Sequence, residues 1–296
     1  MSPSERTIGS LAQLACTWEV LARKAGNVCP GREFPDLTVN DFLQSAAAIA
    51  PVLDQAPHQP LGVTILRCIE ETRKVVNTNT NLGIVLLLAP LASVPLDQPL
   101  QPGLSQLLAR TTVEDSRNVY AAILLAKPGG LGKVKEQDVR EDPTLPLREV
   151  MALAKERDWI AAQYATEFGI VRETLAIGLA PAVRKCGNLE RAIIEMQMYA
   201  LYRCGDDLIR RKLGENIGFS RLTPITIVKN LDTPQGRQAF IDFDAFLRSD
   251  NHIRNPGTTA DLIAAALFVA LRENQIAPTT PFTWDDHPFR ASEPEA

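Results

Sequence analysis

The sequence predicts an all-α protein, a single compact multi-helix domain with a largely buried C-terminal helix. Three observations predict it. Apolar residues recur at helical spacing along most of the 296 residues. Ser, Thr, Asn and Asp stand just ahead of those stripes, where helices start. No stretch of useful length alternates apolar with polar; only the β-branched run Thr223–Val228 stays ambiguous between helix and strand.

The elements follow in order. Ile8–Lys24 sets Leu11, Leu14, Ala15, Trp18 and Leu21 on one stripe. Thr38 opens the next helix with Asp41 three residues on, a capping-box spacing, and Phe42, Ala46 and Ile49 face one way. Gly62–Val75 and Leu82–Ala92 follow. Thr112 with Asp115 opens a helix that runs to about Lys127. Pro146, after Thr144, suits an early helical position. Val150, Leu153, Ala154 and Trp159 keep the period, so this helix is expected to continue to Phe168. Gly187–Asn188 separates Ile170–Lys185 from Leu189–Arg203, and Thr233–Pro234 opens a helix ending near Ser249. The last helix is Thr259–Arg272. Its stretch Leu262–Leu271 is apolar on every face and is expected at the centre. A buried helix must still satisfy its first N–H groups, and the residues from Asn255 to Asp261 offer a Gly turn, two hydroxyls and a carboxylate for that purpose. The longest non-helical segments are Cys29–Leu37 and Lys127–Pro143. No linker breaks residues 1–277, and the Pro-rich stretch 278–296 is expected to run extended over the surface.

Composition excludes several classes. Hydrophobic residues are 45% and charged residues 22%, ordinary for a globular chain and unlike a disordered one. With 31 Lys plus Arg against 35 Asp plus Glu, the net charge is −4, so no basic excess is available for nucleic acid. The longest apolar run, Leu82–Val94, is too short to span a bilayer and Pro90 interrupts it, so no membrane partner is expected. The first ten residues hold no apolar signal region, and the five scattered cysteines read as reduced thiols of a cytoplasmic chain. Three histidines and no paired cysteines leave little for a zinc site. An exposed apolar patch would add a homodimer to the expected partners.

Five segments carry polar groups where chemistry needs them. Asn77-Thr78-Asn79-Thr80-Asn81-Leu82-Gly83 precedes the apolar run; it reads as a helix cap or as a phosphate cradle of backbone and side-chain donors. Pro128-Gly129-Gly130-Leu131-Gly132-Lys133 lacks the Walker spacing and a preceding strand. It is a turn, or a mobile loop with Lys133 as counter-charge. Gly205-Asp206-Asp207 puts two acids at a helix start with Arg210 and Arg211 one turn on. They complement the dipole, or they hold Mg²⁺. Lys24-Ala25-Gly26-Asn27 reads as a C-cap with left-handed Gly26, or as a phosphate contact. Glu167-Phe168-Gly169 with Arg172-Glu173 adds a carboxylate pair near a helix break.

Taken as an ordered set, these segments resemble the triphosphoribosyl-dephospho-CoA synthase family over about Leu11 to Arg272. Glu19 with Lys24-Ala25-Gly26-Asn27-Val28 is similar to its Glu…Lys-Pro-Gly run. Asn79, Thr80 and Gly83 match its Asn-Thr-x-x-Gly segment, and Asp206 and Arg211 match Asp-Thr-x-x-x-x-Arg. Pro256, Gly257, Ala260, Asp261 and Leu262 match Pro-Gly-Gly-Ser-Ala-Asp-Leu. Ala25 replaces a Pro, Asn81-Leu82 stands where citrate-lyase members have His-Lys, and the Lys127–Lys133 loop resembles archaeal-type members. The resemblance implies a pentosyltransferase, with residues 1–277 as its catalytic domain. In the implied reaction the 2′-hydroxyl of dephospho-CoA attacks C1′ of ATP and adenine leaves. It implies Mg²⁺ on the triphosphate, held by Asp206, Asp207 and Asp261. Glu19 is the first choice for base, with Asp206 as a second catalytic acid. Lys24, Asn27, Asn79, Thr80, Asn81, Gly83, Lys133, Arg211, Gly257 and Thr258 are the expected nucleotide contacts. The same chemistry on another acceptor, an all-α diphosphate enzyme and a non-catalytic nucleotide-binding module are the alternatives.

Overall fold

Helical stripes that each bury one face must close on a common partner, and here the partner is the helix that is apolar all round. The computed structural model describes residues 6–129, 132, 134, 136–214 and 217–284. Among them no strand forms, apart from the isolated bridges Cys29–Arg32 and Phe34–Leu37. Helix α14 (Gly257–Arg272) is buried along almost its whole length and packs against α1 (Ile8–Leu21), α4 (Leu82–Ala92), α9 (Ile177–Cys186) and a π-helical segment, Ile170–Ala176. α4 is equally dry from Ile84 to Ala92. Each large apolar side chain removed from water in this way contributes about 1.5–3 kcal/mol.

Local side-chain caps set several of the helix starts. Thr38 and Asp41 form the expected capping box of α2 (Val39–Asp54), and Thr112 and Asp115 that of α6 (Val113–Ala126). α3 (Leu61–Val75) lies between α2, α4 and α6. Gly187, at φ 68°, ends α9, and Asn188 caps α10 (Leu189–Cys204). A helix not expected from sequence, α5 (Leu100–Ala109), buries Leu100, Leu104 and Leu108 at spacing four.

Two expectations are corrected. The helix expected to run from Pro146 to Phe168 is two, α7 (Leu147–Ala154) and α8 (Trp159–Ala165). Asp158 separates them by capping α8, its Oδ1 accepting from Ile160 N at 2.9 Å and Ala161 N at 3.0 Å. Helix α1 stops at Leu21, not Lys24, because Ala22 turns extended at ψ 125°. The ambiguous Thr223–Val228 lies inside α12 (Leu222–Lys229), which packs on α10 and on α13 (Pro234–His252). α11 (Asp207–Leu213) precedes it. Residues from α10 to α13 build a second, smaller core around Met198, Leu201, Ile209, Phe240 and Leu247. Past α14, the Pro281 carbonyl accepts from Leu189 N at 2.8 Å and the Thr283 carbonyl from Asn188 Nδ2 at 2.9 Å, which pins residues 281–283 to the start of α10. No helix among the described residues is long and apolar enough to cross a membrane.

Candidate active site

The N-termini of α4 and α14, the last turn of α1, α11 and the α6–α7 wall surround a cleft of about 1090 Å³. Glu19 comes from the last turn of α1. It is 3% exposed and its Oε1 lies 2.8 Å from Lys24 Nζ. Lys24 is fully buried; its ammonium also donates to the carbonyls of Glu19 and Ala22. The loop that carries them is fixed from three sides. Gly26, left-handed at φ 76°, donates its N–H to Asp244 Oδ1 at 2.7 Å. Gln197 Nε2 donates to the Ala25 carbonyl at 2.7 Å, and Asn27 Nδ2 to Asn255 Oδ1 at 2.9 Å.

At the start of α4, whose N-cap residue is Asn81, Asn79 Oδ1 accepts from the first helical N–H, Leu82 N, at 3.1 Å. Its Nδ2 has no partner among the described residues and the residue lines the cleft. Thr80 shares a hydrogen bond with Ser45 at 2.6 Å, and Asn81 Nδ2 donates to Thr72 Oγ1 at 2.9 Å. Gly83 is required here: a Cβ at this position would overlap the Asp261 carboxylate. Asp261 therefore rests against the first turn of α4, and no hydrogen bond or ion pair holds it among the described residues. Burial first, then the nearby charges of Glu19 and Asp206, pushes the Asp261 carboxyl well above the usual carboxylate range, with Arg211 opposing.

The paired acids of α11 have other partners. Asp206 Oδ1 caps α11 through Leu208 N at 2.9 Å and Ile209 N at 3.2 Å, while Oδ2 accepts from Thr259 N at 2.7 Å and Thr259 Oγ1 at 2.9 Å. Asp207 Oδ1 pairs with Arg210 at 2.7 Å, and Oδ2 accepts from Trp159 N. Burial raises Asp206 above its ordinary value and pushes Asp207 up to about 6, outweighing the Arg210 ion pair. Arg211 reaches the cleft with its NH1 3.9 Å from Asp158 Oδ2.

The family model for ATP:dephospho-CoA triphosphoribosyl transferase matches residues 5–279. The chain belongs to this family. It is also similar to a crystal structure of a candidate triphosphoribosyl-dephospho-CoA synthase from Archaeoglobus fulgidus. The TM-score is 0.60 and the identity 27%, over 78% of this chain and 98% of that one. No curated protein matches.

Of the residues expected to form the triphosphoribosyl transferase site, the cleft gathers Glu19, Asn27, Asn79, Thr80, Asn81, Gly83, Arg211, Gly257, Thr258 and Asp261. Lys133 lies outside the described residues; Lys127, Gly129 and Gly132 of its loop line the cleft. Lys24 does not line it; its ammonium is buried against Glu19, and α1 ends at Leu21, three residues before it, so Lys24 is not in the last helical turn. Asp206 and Asp207 do not line it either, because each carboxylate oxygen already accepts from protein donors. The expected Asp206–Asp207–Asp261 metal set is therefore not assembled. Among the described residues no group of three or more His, Cys, Asp or Glu is placed to hold a metal ion. Asp261 alone fits: an unpartnered, charge-disfavoured carboxylate gains from a cation, and Mg²⁺ at nucleotides commonly takes one or two carboxylates with phosphates and water. Sequence reasoning missed Asp158, Arg157 and His252 and gave Arg210 no site role; all four line the cleft. The apolar period runs unbroken past Asp158, so the sequence holds no signal for the first two. Glu167 pairs with Arg148 at 3.0 Å, away from the cleft.

Proposed function

We propose that this family member transfers a 5-triphosphoribosyl group from ATP to the 2′-hydroxyl of 3′-dephospho-CoA and releases adenine. The observation that carries the reading is the pairing of two carboxylates in one cleft, Glu19 ion-paired to a buried lysine and Asp261 unpartnered. Their environments differ, which is how one site assigns two roles to like groups. Glu19 takes the proton of the attacking hydroxyl as the O2′–C1′ bond forms, and its charge favours the oxocarbenium character at C1′. The C1′–N9 pair leaves with adenine, which gains a proton. Asn79, Thr258 and Arg211 hold phosphate oxygens. Mg²⁺, when bound with the triphosphate, supplies charge neutralisation, and Asp261 is the residue that would hold it. A cleft of about 1090 Å³ is at the upper end for one small ligand, which suits two nucleotides. The free cysteines fit a reducing compartment, the cytoplasm.

The test is adenine release from ATP and Mg²⁺ with dephospho-CoA, followed by chromatography and product mass. Adenine formed only with the acceptor, and a product heavier by one triphosphoribosyl unit, is the expected result. Glu19→Gln should lower turnover by about 10²–10⁴ when assayed at a temperature where the variant is still folded, because the change also strands the buried Lys24 ammonium and lowers Tm. Wild-type turnover in that variant would remove Glu19 from the chemistry. A second reading, the same transfer to another acceptor, is favoured by Lys127, Gly129 and Gly132 in the cleft lining and by Asn81-Leu82, where this chain departs from citrate-lyase members. Mg-ATP binding without adenine release would support it, or a non-catalytic nucleotide-binding module.

A further inference from the structure

His252 lines the cleft but has no part in the chemistry above. Its ring lies flat on Phe34, with centroids 3.9 Å apart and planes 19° from parallel. Phe34 also has the Arg248 guanidinium 5.6 Å from its centroid. These planar groups are fixed. Phe34 is buried, and its backbone pairs with Leu37 across a bridge at 3.0 Å. Arg248 is anchored on Asp244 at 2.9 Å, on the Arg32 carbonyl at 2.9 Å and on the Asn27 carbonyl.

The backbone that presents His252 is unusual. Asp250, Asn251 and His252 have φ of 54°, 55° and 58°, three left-handed residues in a row. L-residues visit that region singly, not in runs. The turn is held by Arg254 on Asp250 at 2.6 Å and by Asn255 N on the His252 carbonyl at 3.0 Å. It is thereby joined to Asn255, which binds Asn27 beside Glu19. The imidazole itself makes no hydrogen bond among the described residues, and its Nδ1 is buried without a partner. The ring is placed as a flat face rather than as a polar group. Burial, then Arg248, lowers its pKa, which favours the neutral ring.

We propose that His252, backed by Phe34, is the stacking platform for a purine base in the cleft. This rests on the reading of the cleft as a nucleotide site. Both ATP and dephospho-CoA carry an adenine, and the test distinguishes them. Titration calorimetry on the full chain would measure Mg-ATP, dephospho-CoA and inorganic triphosphate separately, for wild type, His252→Ala and His252→Phe. His252→Ala should weaken one nucleotide by about ten- to a hundred-fold, as loss of a base–aromatic stack does. His252→Phe should bind within about threefold of wild type, because it keeps a π-face. Inorganic triphosphate, which has no base, should bind all three proteins alike. A loss confined to ATP assigns the platform to the donor purine; one confined to dephospho-CoA assigns it to the acceptor purine. The proposal is overturned if His252→Ala binds both nucleotides as wild type does, if His252→Phe is as weak as His252→Ala, or if triphosphate binding falls in parallel. Wild-type protein that binds neither nucleotide would overturn the nucleotide-site reading itself.

Discussion

At the residue scale Lys24 is a charge taken wholly out of water. Its side chain is fully buried, and the Glu19 carboxylate at 2.8 Å is what compensates the charge. Removing one partner of such a pair leaves the other charge stranded, which typically costs about 3–5 kcal/mol, whereas neutralising both costs far less. Lys24→Met should therefore destabilise the protein by about that amount in urea unfolding, and adding Glu19→Gln to Lys24→Met should restore most of it. Simple additivity of the two single changes would show that the pair is not coupled. The same reasoning places Lys24 in the mechanism only as a positioning residue. On the proposed function it would fix the direction of the Glu19 carboxylate from outside the cleft lining.

At the scale of elements, the joint between α8 and α11 is a carboxylate. Asp207 accepts from the first N–H of α8 and pairs with Arg210 of α11, yet burial holds its pKa at about 6 against an ordinary 3.8. The folded state therefore binds the Asp207 proton more tightly than the unfolded chain does. Between pH 3.8 and about 6 folding takes up a proton, so this group's contribution to stability falls as pH rises through that window. The gap is worth on the order of 3 kcal/mol. Urea midpoints should fall from pH 5 to pH 7 by more in wild type than in Asp207→Asn, whose side chain does not titrate. Equal slopes in the two proteins would dismiss Asp207 as the source. What the sequence shows of such joints depends on distance along the chain. Thr38 with Asp41 and Thr112 with Asp115 are legible because donor and acceptor lie three residues apart. Asp206 reads as a metal ligand in sequence because its second partner, Thr259, is 53 residues away. Asp158 hides inside an unbroken apolar period, and only the α7–α8 break exposes it as a cap. α5 carries its leucines at a spacing too sparse to stand out beside Pro99 and Pro102. The apolar period of α14 was legible, and so were the Asn79–Gly83 and Gly257–Asp261 segments, because helix starts beside buried helices need polar groups wherever they end up.

For the whole molecule, the cleft draws on both apolar cores. Asn79 to Gly83 and Asp261 stand on α4 and α14 of the larger core, whereas Arg210, Arg211 and His252 stand on α11 and the end of α13, beside the smaller one. A ligand that touches both sets should tie the two cores together. Mg-ATP at a hundred times its Kd should stabilise the chain by about 2.7 kcal/mol and raise Tm by about 5 °C. The more discriminating readout is amide exchange, because local opening is unequal across a structure and a ligand suppresses the openings that break its site. With Mg-ATP and dephospho-CoA present, protection should rise in α11 and at residues 249–252 as well as at the starts of α4 and α14. Protection confined to α4 and α14 would mean that α11 does not contact the nucleotide, and the phosphate role of Arg211 would fail with it.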